Sequence, residues 1–230
     1  MSVPLKYILT TLAAAAIAVP AAIGGPLEET FARMDRASAG LMSLQANLRR
    51  AAHTAVLNED DVETGAFLLK RGKAHDVRVL FDIKTPEPKQ YAIDLHKVEV
   101  YLPREDTVQE YDISKYKDLA EQFLLLGFGT TSKELLAAYN VSLVGVENIG
   151  NEKTTRLQLI PKSKEMLAHL LRVDLWISDS LGVPIQQKFY TPGDNYNLCT
   201  YSDVMKNPNL PDSAVRLNLP KGTKREHPLK

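Results

Sequence analysis

The chain has 230 residues, 44% of them hydrophobic and 24% charged, so it can build a sizeable core and is neither disordered nor membrane-embedded throughout. Its 28 Lys and Arg balance 28 Asp and Glu, which removes the electrostatic case for a nucleic-acid partner. A single cysteine, Cys199, rules out an internal disulfide, so stability has to come from burial.

Residues 1–24 read as a secretory signal peptide. Lys6 is the only charge before Glu28, residues 7–22 are apolar or small, and Ala22-Ile23-Gly24 has the small-x-small form of a cleavage site. The run is short and Ala-rich for a membrane span. No cysteine adjoins the cleavage point, so the mature N-terminus carries no lipid anchor of its own. Phe31, Met34, Ala37 and Leu41 then recur at helical spacing, which predicts an amphipathic helix over 27–39 and a strand entered near Ser43.

Asn58-Glu59-Asp60-Asp61 lacks the glycine and the downstream glutamate of a Ca²⁺ loop and reads as a hairpin turn between strands 44–57 and 62–71. Strands follow at regular intervals. Val77, Val79, Phe81 and Ile83 alternate with Arg78, Leu80 and Asp82; residues 89–95, 98–102 and 107–113 continue the pattern between Pro-, Asp- and Glu-rich turns. Residues 44–113 therefore read as an up-and-down antiparallel sheet.

The period then changes. Tyr116, Leu119, Phe123 and Leu126 fall on one helical face, which Leu124, Leu125 and Phe128 broaden, and Gly127 and Gly129 end the helix. Thr131 and Glu134 are spaced as a capping box that opens a second short helix running through Tyr139. Strands resume at 141–148, 154–160, 170–178, 183–190, 195–204 and 215–219. About eleven short antiparallel strands result, and a sheet that long curls and acquires a concave face for the apolar helices to cover.

Catalytic patterns are missing. The five histidines form no i, i+4 pair, and the chain has no HExxH, Cys/His cluster, GxSxG, SxxK or P-loop. The adjacent carboxylates lie in turns, although a hydrolase with dispersed acidic residues leaves no such mark. A binding module is favoured over an enzyme, with no cofactor and no metal expected.

One strand sets the functional reading. In Gly65-Ala66-Phe67-Leu68-Leu69-Lys70-Arg71, Phe67, Leu69 and Arg71 share one face, so an apolar surface runs straight into an arginine. An apolar cavity with a cation at its rim would use that arrangement. This strand, the segment Leu41-Met42-Ser43-Leu44-Gln45-Ala46, the run 119–139 followed by Val141-Ser142-Leu143-Val144, Leu157-Gln158-Leu159-Ile160-Pro161-Lys162, the hairpin at Leu181-Gly182 and the closing Leu219-Pro220-Lys221-Gly222 together resemble the LolA-like (LolA/LolB) outer-membrane lipoprotein carrier family over nearly the whole mature chain. The chain departs from the family pattern in having Leu68 for a tryptophan, Gly72 for a proline and Asp94-Leu95 for an Asp-Gly turn; its one tryptophan is Trp176.

The resemblance implies a mostly β fold with helices, an unclosed antiparallel β-barrel of about 11 strands with a helical lid over a hydrophobic cavity, spanning 25–222 with a polar tail at 223–230. It implies a monomeric periplasmic carrier that binds the acyl chains of lipoproteins, or another lipid, and ferries them from an inner-membrane transporter toward an outer-membrane acceptor. Phe67, Leu69, Val77, Val79, Phe81, Ile93, Val100, Leu125 and Phe128 are the expected lipid-binding residues, and Arg71 the lid latch. The open alternative is an envelope regulatory or sensor module that binds a protein partner with the same fold.

Overall fold

A computed structural model describes residues 24–72, 76–94, 96–116 and 126–228. All of the 1–24 leader reading but Gly24, and most of the first insert helix (117–125), lie outside the described residues. Helix α1 spans Pro26–Gly40. Its proline sits in the first turn, where no N–H is needed, and Glu28 and Glu29 face the positive end of the helix dipole. It buries Thr30, Phe31, Met34 and Ser38, the inner side of the expected helical stripe.

Eleven strands then follow as two meanders. The first is β1 (Ser43–Thr54), β2 (Glu59–Arg71), β3 (Val77–Thr85), β4 (Lys89–Ile93), β5 (Lys97–Leu102) and β6 (Thr107–Asp112). The second is β7 (Tyr139–Ile149), β8 (Glu152–Pro161), β9 (Arg172–Ser178), β10 (Pro184–Tyr190) and β11 (Tyr196–Lys206). Helices α2 (Ser132–Ala138) and α3 (Lys164–Leu167) precede β7 and β9. Strand β1 joins the halves by pairing with β2 on one side and β11 on the other. A last strand, β12 (Lys224–Glu226), pairs parallel with β6. One 12-stranded sheet results, running β12-β6-β5-β4-β3-β2-β1-β11-β10-β9-β8-β7, and its end strands do not pair. The fold is the expected one: a mostly β, unclosed antiparallel half-barrel with helices.

Register carries the hydrophobic pattern across the sheet. Leu44, Ala46 and Leu48 face Leu69, Phe67 and Gly65, which in turn face Val79, Phe81 and Ile83. Side chains of paired residues share a face, so these rows form one apolar surface. Packing on it falls into two regions. Leu41, Leu44, Leu48, Phe67, Leu69, Val79, Phe128 and Tyr201 fill the centre of the half-barrel. Phe31 and Met34 of α1 and Leu135 of α2 pack with Leu157, Leu159, Val173 and Leu175 over β8 and β9.

Two boundaries differ from the sequence reading. Glu59–Asp61 belong to β2, and the turn lies at Ala55–Asn58, where Asn58 takes φ 52°. Residues 215–219 alternate in burial as a strand would but form no ladder. Val215 is buried while Leu217 and Leu219 are half-buried, and the segment lies along the outside of the sheet near Arg78 and Ala92. Lys70 Nζ holds its start by donating to the Leu210 carbonyl (2.7 Å) and the Asp212 carboxylate (2.6 Å). Pairing resumes only at β12, within the polar tail.

Candidate functional site

Helix α1 is fastened over the inner face at four points. Arg33 Nη2 donates to Asp179 at 3.0 Å, in the turn between β9 and β10. Asp35 accepts from the Ser132 backbone N–H at 2.6 Å and its hydroxyl at 2.7 Å, at the start of α2. Ser38 Oγ donates to the Gly129 carbonyl at 2.5 Å. Arg71 Nη1 donates to the carbonyls of Ser38 (3.1 Å) and Leu41 (3.4 Å). Those carbonyls lie at the C-terminal end of α1, where helix acceptors go unsatisfied and a cation is favoured by the dipole. Thr131 and Glu134 form the expected capping box on α2.

The turn Leu126–Gly129 drops into the barrel beneath these contacts. Gly127 and Gly129 take φ 80° and 98°, a conformation open to glycine at little cost, and the Phe128 ring points inward between them. Phe67 lies 5.2 Å from each of Phe81, Phe128 and Tyr201, and Phe128 meets Tyr201 edge-on at 5.1 Å. A buried polar chain secures the same turn: Tyr201 donates to Gln187 Oε1 at 2.8 Å, and Gln187 Nε2 donates to the Leu126 carbonyl at 2.6 Å. Burial raises the Tyr201 phenol well above its usual range, so it stays a donor.

Next to this plug the described residues leave part of the inner face open. A cavity of about 430 Å³ is bounded by Leu48 and Arg50 of β1, Phe81 and Ile83 of β3, Tyr91 and Ile93 of β4, Phe189, Asn197 and Cys199 of β10 and β11, and His169, Leu170 and Thr191. Its size lies within the range of small-ligand sites. At one wall Glu63, only 7% exposed, meets two cations: Arg50 Nη2 lies 2.5 Å from its carboxylate, and Lys89 Nζ contacts the other oxygen. The hydrogen bond to Glu63 raises the Lys89 pKa. Both cations also approach the Tyr91 ring, at 6.0 and 5.9 Å from its centre. Burial pushes the Cys199 thiol up to about 11.

The expected lipid-binding residues divide. Phe81 and Ile93 line the cavity. Phe67, Leu69, Val77, Val79 and Phe128 are buried in the central packing, with Phe67 and Phe128 forming the wall of aromatic rings behind it. Val100 is half-buried on the same face of the sheet, paired with Tyr91, and is not part of the cavity lining. Leu125 lies outside the described residues. Arg50 went unnoticed in the sequence although its parity with Leu44, Ala46 and Leu48 marks it as an inward cation. His169, Leu170 and Phe189 come from the other half of the chain, and no local pattern joins them to β3.

Among the described residues no group of three or more His, Cys, Asp or Glu side chains is placed to hold a metal ion. No helix among them is long and apolar enough to cross a membrane.

No family model and no curated protein matches the sequence. Solved structures do share its fold. An uncharacterized conserved protein from Thermus thermophilus aligns over 87% of this chain and 98% of its own at 12% identity, with a TM-score of 0.53. MucB aligns over 83% of this chain at 11% identity with a TM-score of 0.52; the match spans 62% of MucB's length. A LolA superfamily protein from Nitrosomonas europaea aligns over 83% of this chain and 97% of its own at 14% identity, with a TM-score of 0.38. At these identities the likeness to the first two concerns the fold alone.

Proposed function

We propose that this chain is a periplasmic carrier that binds the acyl chains of lipoproteins, or of another lipid, in the cavity of its half-barrel and ferries them toward the outer membrane. The observation that carries this reading is the 430 Å³ cavity between apolar walls of both meanders, beside helices fastened over the same face. Burying acyl chain there contributes about 0.8 kcal/mol per methylene. Arg71 serves as the latch of the helical cover, and Phe81, Ile93 and Leu48 as lining. Phe67, Leu69, Val77, Val79 and Phe128 would meet cargo once the Phe128 turn withdraws. Residues 1–24 direct export, an inner-membrane transporter and an outer-membrane acceptor are the partners, and the protein binds its cargo as a monomer without turning it over. The test is native mass spectrometry and lipid extraction on protein purified from its native host, with titration of a fluorescent acyl probe. Absence of both bound lipid and probe uptake rejects the reading.

A second reading, an envelope module that binds a protein partner, has one observation in its favour. Strand β7 ends the sheet with an edge that no strand among the described residues pairs with, and Val144 and Val146 on it are about half exposed (48% and 58%). A purified complex held through β7, stable without lipid and lost on Val146→Lys, would establish that reading over the carrier.

A further inference from the structure

The wall formed by Arg50, Glu63 and Lys89 is not explained by a cavity for hydrocarbon alone. Glu63 supplies one negative charge to two cations, so the cluster holds one positive charge in excess. Arg50 lines the cavity, and its Nε is buried without a hydrogen-bond partner. An unpaired buried donor on a charged group costs free energy that an acceptor recovers. The Tyr91 face is shared by Arg50 and Lys89, so the ring only partly offsets the excess. The remaining polar lining is uncharged or weakly basic: His169, Thr191 and Asn197. No carboxylate other than Glu63 touches Arg50 among the described residues.

We infer that the cavity receives a single-chain amphiphile with an anionic head, the chain lying against Leu48, Phe81, Ile83, Ile93 and Phe189 and the carboxylate or phosphate head accepting from Arg50. The inference rests on the reading of this cavity as an acyl-chain site and adds the charge of the head. A guanidinium suits the task because its planar fork meets both kinds of oxyanion and stays charged at every relevant pH. Glu63 holds the fork in place through Nη2 and leaves Nε for the ligand. Lys89 offsets part of the Glu63 charge, which reduces the repulsion the carboxylate exerts on the incoming head.

The test uses the mature chain loaded with a neutral fluorescent acyl ester. Hexadecanoate, hexadecyl phosphate and methyl hexadecanoate compete for it, beside acetate and inorganic phosphate. Both anionic amphiphiles should displace the probe about ten-fold better than the methyl ester, the size of one charge-assisted hydrogen bond. Arg50→Gln should bring the three to the same affinity, the two anionic amphiphiles losing their advantage over the methyl ester. Glu63→Gln should move the anionic pair the other way, toward tighter binding. This second variant keeps the assignment testable if Arg50→Gln fails to fold. Equal competition by all three in the wild type, or a preference that survives Arg50→Gln, overturns the headgroup assignment and leaves the acyl cavity standing. Displacement by acetate or inorganic phosphate alone assigns the wall to a small anion and overturns it too. No binding of the neutral probe overturns the cavity reading and this inference with it.

Discussion

Arg71 Nη1 and the carbonyl oxygen of Ser38 are 3.1 Å apart, which ties the last inward position of β2 to the end of α1. The same serine's hydroxyl donates to Gly129, so strand, helix and insert turn meet through one residue. The apolar face of β2 thus ends in an arginine because the next group along that face is the underside of a helix terminus, with carbonyls to satisfy.

Replacing Arg71 should loosen this junction without unfolding the sheet. Arg71→Leu removes two hydrogen bonds, both from Nη1, to carbonyls at the end of α1, each worth about 1–2 kcal/mol when charged and partly buried. Hydrogen exchange at the amides near Leu41 should accelerate, while β8 and β9 keep their protection. Arg71→Lys should restore only part of it, since an ammonium on a flexible stem does not reproduce the fixed position of Nη1. Gly129→Ala should imitate the loss: its Cβ would lie 2.9 Å from Arg71 Nη1, and φ 98° is strained for alanine. Unchanged exchange at Leu41 in both variants would remove Arg71 from this role.

Phe128 should behave as the keystone of the central packing. It is 1% exposed and in ring contact with Phe67 and Tyr201. Phe128→Ala is expected to cost about 3–5 kcal/mol, measured as a lower urea midpoint at unchanged m-value. The space it leaves adjoins Phe67, whose ring packs on Phe81 of the cavity wall, so uptake of an acyl probe should rise in the same variant. Loss of stability without added uptake would make Phe128 a packing residue alone.

How much of this was legible beforehand follows from what is local. Period two in β3 and β4, period three to four in α1, and the Thr131–Glu134 box are written within a few residues, and the structure follows them. The alternation of Val215, Leu217 and Leu219 was equally visible, but alternation records burial of one face and says nothing of ladder partners; here the outer sheet surface satisfies it. The cavity was the least legible part. It forms because β1 pairs with β11, about 150 residues away, bringing Arg50 opposite Cys199 and Leu48 opposite Tyr201. Which apolar residues border empty space and which fill it depends on Phe128 entering from a turn, and no local pattern specifies that.

Gly65 opens the inward stretch of β2 for a steric reason. A Cβ there would lie 2.1 Å from the Asp82 carbonyl oxygen and 2.8 Å from Ile83 Cα, both backbone atoms that cannot swing away. The β2–β3 register shifts between Thr64 and Gly65, and this close approach is how the strands cross the bulge. Gly65→Ala should therefore cost at least about 2–3 kcal/mol, whereas replacing a glycine in an unobstructed strand position is stabilising. Thermal unfolding checks it: a Tm equal to or above the wild type would show that β3 moves aside freely.

Cys199 gives the stability a dependence on alkaline pH. Burial raises its thiol from the ordinary 9.0 to about 11, because the low-dielectric surroundings of a buried thiol disfavour the thiolate. The unfolded chain releases this proton at lower pH than the native one. The contribution is therefore intact below about pH 9 and declines as pH rises toward 11, by up to about 1.4 kcal/mol per pH unit. Tyr139, pushed up to about 12, and Tyr201, raised well above its usual range, both by burial, add to the decline from about pH 10, where phenols begin to ionise in the unfolded chain. Cys199→Ala should flatten the stability profile between about pH 9 and 10, where the thiol alone titrates in the unfolded chain, and leave the tyrosine-driven fall above pH 10, as read from urea midpoints across that range. At pH 8 the native thiol should react with iodoacetamide far more slowly than the unfolded one, with roughly one thiolate in a thousand. Since Cys199 borders the cavity, a bound acyl ligand should slow the reaction again; equal rates with and without ligand would place the ligand elsewhere.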